Sequence, residues 1–135
     1  MKLKIFIIDD EESLRDTFRW HLQGMGHEVF TFAAPVECDV QAYCLCQQSR
    51  PCVDALLIDY NMPGMNGLDF IENQIKQGCK GDPRNILLMS GDTTRIDMKK
   101  AVALGCSVEQ KPFSLETLER WISEVQSRKK ENQSL

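Results

Sequence analysis

Residues 53–67 read VDALLIDYNMPGMNG, and this stretch decides the fold. Its apolar centre, Ala55-Leu56-Leu57-Ile58, runs without polar alternation, the pattern of a strand covered on both faces in a parallel sheet. Asp59 follows at once, and the next segment, NMPGMNG, carries the proline and glycines of a loop. Open α/β sheets bind their ligands outside the carboxyl ends of the strands, so an acid at that position points to chemistry.

The same unit recurs outward in both directions. Upstream, residues 4–9 (KIFIID) form a β-branched apolar run that ends in Asp9-Asp10. Leu14, Phe18 and Leu22 then repeat at i, i+4, i+8, which predicts a helix over 12–23, stopped by Gly24 and Gly26. A short strand is expected over 29–32. A second helix should open at Pro35 and close before Pro51, with Val36, Val40, Tyr43 and Leu45 inward. Downstream come a helix over 68–75, a turn-rich connection at 78–83 and a strand over 85–89. A helix over 94–104 ended by Gly105 and a short strand over 107–110 follow.

Ser114 reads as the N-cap of the last helix, whose inward stripe is Leu115, Leu118, Ile122 and Val125. Five β-α units in alternation predict an α/β fold with a parallel sheet and helices on both faces. The expected domain spans residues 1–127. Residues 128–135 are expected to form a polar C-terminal tail or the start of a linker, frayed from Ser127 onward.

Composition narrows the function. A chain of 135 residues, 42% hydrophobic and 27% charged, can bury a real core as one domain. Its formal net charge of −4 argues against a broad nucleic-acid footprint. The N-terminal apolar run is too short for a signal peptide or a membrane span, so no membrane partner is expected and the cytoplasm is the expected compartment. Cys38, Cys44, Cys46 and Cys52 are spaced C-x5-C-x-C-x5-C, which is not a zinc-knuckle pattern. These four, with Cys79 and Cys106, are read as small packing thiols. Trp20 and Trp121 are read as packing residues, His21 and His27 as surface residues, and Glu11 and Glu12 as acids favouring a helix N-terminus.

Four strand ends thus carry Asp9-Asp10, Asp59, Ser90 and Lys111-Pro112-Phe113. Three acids and one amine on one sheet edge suit a divalent cation and a phosphoryl group better than an apolar ligand. In this order the motifs resemble the receiver domain of two-component response regulators, the CheY-like superfamily, over roughly residues 3–127. The resemblance implies a flavodoxin-like, doubly wound five-stranded sheet of order 2-1-3-4-5.

It also implies roles. Asp59 would be the phosphoacceptor, taking a phosphoryl group from a histidine kinase or histidine phosphotransfer protein. Mg²⁺ would be held by Asp10 directly, Asp9 through water, Asp59, and the backbone carbonyl of Asn61. Lys111 would contact the phosphoryl oxygens, and its bond to Pro112 would be cis. Ser90 would bond a phosphoryl oxygen after modification and draw the following loop inward. Kinase docking would use the Asp9-Asp10 edge and the first helix. An unknown downstream protein would read the face built from the last two helices and the fifth strand. Asn61 and Asp92 would flank the attacking water and tune dephosphorylation, giving a short-lived adduct. One departure stands out: the family's usual aromatic three residues before the lysine is Val108, so the loop after Ser90 and the 94–104 helix should carry the signal.

Other readings fit less well. A haloacid-dehalogenase-type Mg²⁺ phosphatase needs an acid two residues after its nucleophile, where this chain has Asn61, and usually a cap domain. A nucleotide or flavin binder lacks a glycine-rich loop after the first strand. No helix-turn-helix follows residue 127, so direct nucleic-acid binding is not expected of this chain; a receiver cut from a longer DNA-binding or enzymatic regulator stays open. Catalysis is expected only on the chain's own aspartyl phosphate.

Overall fold

The computed structural model describes residues 1–34, 53–78 and 81–133. Strands β1 (Lys4–Ile8), β2 (Glu28–Phe32), β3 (Ala55–Asp59), β4 (Ile86–Ser90) and β5 (Ser107–Gln110) form one parallel sheet of order β2-β1-β3-β4-β5. Helices α1 (Glu12–Gly24), α2 (Gly67–Lys76), α3 (Met98–Leu104) and α4 (Leu115–Gln133) complete the described elements. The expected sheet order and fold class are found. The helix expected after Pro35, with four of the cysteines, and Cys79 lie outside the described residues.

Strand alternation splits the interior into two cores. Ile5, Ile7, Ala55, Leu57, Leu87 and Met89 face one side and pack with Phe18 and Leu22 of α1 and Leu118, Trp121, Ile122 and Val125 of α4. Phe6, Ile8, Leu56, Ile58 and Leu88 face the other and pack with Leu68, Phe70 and Ile71 of α2 and Ile96 and Ala101 near α3. Each fully buried aliphatic or aromatic side chain stabilises by about 1.5–3 kcal/mol, so the middle strands, buried on both faces, anchor the sheet.

Several expectations need correction. The helix predicted over 94–104 is two elements: a 3₁₀ turn at Thr93–Arg95, then α3. Ile96 is extended between them, and Asp97 starts the second by accepting from the Lys100 N–H at 3.1 Å, the N-cap role for which a short acid is suited. The strand predicted from Val53 begins at Ala55, while Asp54 accepts from the Lys4 N–H at 2.8 Å. The expected fraying from Ser127 is also wrong, because α4 runs to Gln133. Its continuation is held by Arg128, which donates to Asn85 Oδ1 at 2.7 Å and to the Arg84 carbonyl at 2.8 Å, and by Lys129 on Asp54 at 2.6 Å.

Trp121 is buried as expected, but Trp20 is 64% exposed. Two residues from both Phe18 and Leu22, it falls on the opposite side of α1. Leu115, in the first turn of α4, is on the rim rather than inside. Neither histidine is a plain surface residue. His27 is buried and its Nδ1 accepts from the Leu3 N–H at 3.1 Å, while half-buried His21 meets Glu119 at 2.8 Å. Ser114 caps α4 as expected, its Oγ accepting from the Thr117 N–H at 3.1 Å.

Candidate functional site

Strand register builds the site. Ile8 pairs with Ile58, Asp59 with Met89, and Ser90 with Gln110. One residue beyond these pairs, the chain delivers Asp9, Ser90 and Lys111 beside Asp59. The backbone seals the arrangement: the Asp9 N–H donates to the Phe32 carbonyl at 3.0 Å, the Tyr60 N–H to Met89 at 2.7 Å, and the Lys111 N–H to Ser90 at 2.7 Å. The Lys111–Pro112 bond is cis.

Lys111 Nζ lies 3.1 Å from Asp9 Oδ2 and 3.4 Å from Asp59 Oδ1. Asp9 is 0% and Asp59 3% exposed, whereas Asp10 is open to solvent. Oxygens of the three acids lie within 4.8 Å of one another. The second oxygen of Asp9 accepts from the Glu11 N–H at 2.8 Å, and Asp59 Oδ1 accepts from the Asn61 N–H at 3.3 Å. An open cleft of about 420 Å³ above them is lined by Asp10, Glu11, Leu14, Asp59, Asn61, Gly91, Lys111 and Pro112.

Burial pushes the Asp59 carboxyl up to about 6; the charge of Asp9 adds to this, and Lys111 opposes it. Asp9 is also raised by burial, against the pull of the Glu11 amide and Lys111. Burial alone disfavours the Lys111 ammonium, but its bonds to Asp9 and the charges of both acids hold its pKa above the ordinary value. Two buried carboxylates and a third nearby thus share one ammonium, an excess of negative charge that a cation relieves.

The family model for the response regulator receiver domain matches residues 5–123. The chain belongs to this family. It is 25% identical to a chemotaxis protein CheY homolog of Campylobacter jejuni over 124 residues, which are 91% of this chain and 92% of that one. It is 40% identical over 70 residues to the cyclic di-GMP phosphodiesterase response regulator RpfG of Xanthomonas campestris. That match takes in 50% of this chain but only 17% of RpfG. A putative two-component response regulator of Arabidopsis thaliana is matched over 14% of its length. Among solved structures, the Vibrio cholerae chemotaxis protein CheY4 superposes with a TM-score of 0.68 at 27% identity, covering 93% of this chain and 99% of that one. A receiver domain protein from Clostridium thermocellum, at 24% identity and a TM-score of 0.73, shares the fold over 96% of both chains.

Receiver domains typically bind Mg²⁺ at an acidic pocket, and this receiver presents one with an all-oxygen donor set. That set fits a hard divalent cation. Asp9, Asp10, Asp59, Asn61 and Lys111 all meet at the cleft or its floor. Ser90 reaches the same strand edge, but its hydroxyl is engaged in its own loop, donating to the Asp92 carbonyl and accepting from the Asp92 N–H, each at 3.1 Å. The Asp92 carboxylate turns away: it accepts from the Thr94 N–H at 3.1 Å and pairs with Arg95 at 3.5 Å. In this state it does not face the cleft with Asn61.

Three further residues shape the site without having stood out in the sequence. Arg15 Nη1 donates to the Asp9 carbonyl at 2.7 Å and so fixes the turn that carries Asp10. Gly67 sits under Asp59, where a Cβ would lie 2.5 Å from the Asp59 carbonyl oxygen and 2.8 Å from Leu88 Cδ1. Tyr60 donates its hydroxyl to the Arg95 carbonyl at 3.4 Å. Only Gly67 left a trace in the sequence, as one glycine of a loop; Arg15 needs the turn between β1 and α1 to be recognised, and Tyr60 its distant partner.

Proposed function

We propose that this receiver is a phosphorylation-controlled switch whose acceptor is Asp59. The observation that carries the reading is Lys111, held between Asp9 and Asp59 on the floor of a solvent-open cleft. A histidine kinase or histidine phosphotransfer protein is the donor, docked over the Asp9-Asp10 edge and α1. An Asp59 carboxylate oxygen forms a bond to phosphorus as the nitrogen–phosphorus bond breaks, and the imidazole nitrogen keeps the electron pair. With its carboxyl at about 6, Asp59 is largely ionised at neutral pH and able to attack.

Lys111 lies where it can follow the negative charge from the carboxylate onto the phosphoryl oxygens. Asp9, Asp10, Asp59 and the Asn61 carbonyl would hold Mg²⁺, which when bound neutralises charge on the carboxylates and the phosphoryl group. Ser90 then exchanges its bonds with Asp92 for one to a phosphoryl oxygen, which draws in the following loop and alters the α3-β5-α4 face that an output protein reads. Asn61 at the cleft orients water for hydrolysis of the adduct, so the signal is short-lived and the chain acts as an enzyme on itself alone.

Acetyl phosphate with Mg²⁺ tests this reading. Intact-mass and peptide analysis should find one labile phosphoryl adduct on Asp59, lost in Asp59→Asn and in EDTA. Steady turnover of unrelated phosphomonoesters, or an adduct elsewhere, would contradict it. Replacing Asn61 with leucine should lengthen the lifetime of the adduct.

A further inference from the structure

Tyr60 follows Asp59 directly, and its backbone is fixed on both sides. Its N–H donates to Met89 of β4 at 2.7 Å, and its carbonyl accepts from Gly67 at the start of α2 at 2.9 Å. The ring is half-buried against the core that contains Ile96 and Ala101. Its hydroxyl reaches across 35 residues of sequence to the Arg95 carbonyl at 3.4 Å. Arg95 closes the 3₁₀ turn, and the next residue, Ile96, is the buried anchor ahead of α3.

The loop from β4 to α3 is therefore pinned at three points, one of them Thr93 Oγ1, which donates to Gln110 Oε1 of β5 at 3.1 Å. Ser90 Oγ holds its start through Asp92, and Tyr60 holds its far end through Arg95. Val108 packs against the same core but offers no polar group to the loop. The body of α3 has a separate tie to α2, Lys100 Nζ lying 2.8 Å from Asp69 Oδ1 and 3.3 Å from Glu72 Oε1. Once Ser90 leaves Asp92, that pin is gone; Thr93 still ties the turn to β5, and among the described residues Tyr60 is the hydroxyl that links it to the Asp59 loop.

We propose that Tyr60 is the positioning residue that couples the state of Asp59 to α3, a role that rests on the reading of Asp59 as the modified group. Its hydroxyl sets where the 93–95 turn lies, and α3 follows because Ile96 and Asp97 connect the two rigidly. A ligand shifts such an element only through a difference in contacts between the two states; the exchange at Ser90 supplies that difference, and the Tyr60–Arg95 bond carries it to the 93–95 turn.

Hydrogen exchange on the full chain, with and without Mg²⁺ and beryllofluoride, tests the coupling in wild type, Tyr60→Phe and Lys100→Gln. Tyr60→Phe keeps the ring and removes one oxygen, so beryllofluoride should still saturate Asp59 while the induced change over residues 93–104, read at saturation, falls by about half or more. Lys100→Gln should raise basal exchange of α3 yet keep most of the induced change. A full response in Tyr60→Phe, or an equal loss in Lys100→Gln, would overturn the coupling role. Wild type that fails to bind beryllofluoride at Asp59 would instead overturn the acceptor reading, and the coupling with it.

Discussion

Asp59→Asn should stabilise the metal-free protein. Asp59 and Asp9 are buried side by side against one lysine, so ionising both carries desolvation and repulsion that Lys111 offsets only in part. Burial raises the Asp59 carboxyl from 3.8 to about 6. A group that holds its proton more tightly folded than unfolded makes the native state lose stability as pH rises between those values. At about 1.4 kcal/mol per tenfold, the full gap is on the order of 3 kcal/mol by pH 8.

An amide is close in shape and cannot ionise, and Lys111 keeps Asp9 at 3.1 Å as its partner. The variant also gives up the 3.4 Å contact of Lys111 with a charged Asp59, so the expected gain is about 1–3 kcal/mol. For a chain of this size that is roughly 3–11 °C in melting temperature. Urea unfolding of wild type and Asp59→Asn in EDTA at pH 8 and pH 4.5 measures it. The variant should lead at pH 8, and the gap should shrink at pH 4.5, where folded wild type carries a protonated Asp59. Mg²⁺ should stabilise wild type more than the variant. A variant less stable at pH 8, or a gap independent of pH, would falsify the claim that the site stores like-charge repulsion.

Three more predictions follow from single residues. Gly67→Ala places a Cβ against the Asp59 carbonyl and Leu88, so it should cost about 1–3 kcal/mol in urea unfolding and lower the yield of acetyl phosphate adduct. His27 must be neutral to accept from Leu3, and burial depresses its pKa, so the unfolded state binds the extra proton and stability should fall as pH drops below about 6.5. His27→Gln keeps an acceptor that does not titrate, and its urea midpoint should be flatter over that window. Arg128→Ala leaves the buried Asn85 side-chain carbonyl without this donor and should cost about 1–2 kcal/mol, read as a lower midpoint in a thermal melt.

What was legible beforehand was what short-range pattern encodes. Continuous apolar runs at β1, β3 and β4 mark strands covered on both faces, and the stripe Leu14, Phe18, Leu22 marks one helix face. Boundaries were less legible where side chains compete with the backbone. Asp97 splits the expected 94–104 helix by capping a new one, and Asp54 bonds to Lys4 at a position expected to be strand. The end of α4 is not legible because the polar sequence SRKKENQ has no apolar stripe, yet Arg128 and Lys129 find partners just before β4 and β3, at Asn85 and Asp54.

The sequence by itself determined the order of elements and the residues at the strand ends, because a parallel sheet collects every strand's carboxyl end on one edge. Asp9, Asp10, Asp59, Ser90 and Lys111 were therefore identifiable as a group. Only the tertiary structure decided that Lys111 lies between two buried acids, that Ser90 and Asp92 are turned into their own loop, that His27 is an internal acceptor, and that Tyr60 reaches Arg95. The Lys111, His27 and Tyr60 contacts depend on distances between residues far apart in the chain, and the Ser90–Asp92 turn on a loop geometry set by the strands around it. Local propensity carries neither quantity; strand register and packing do.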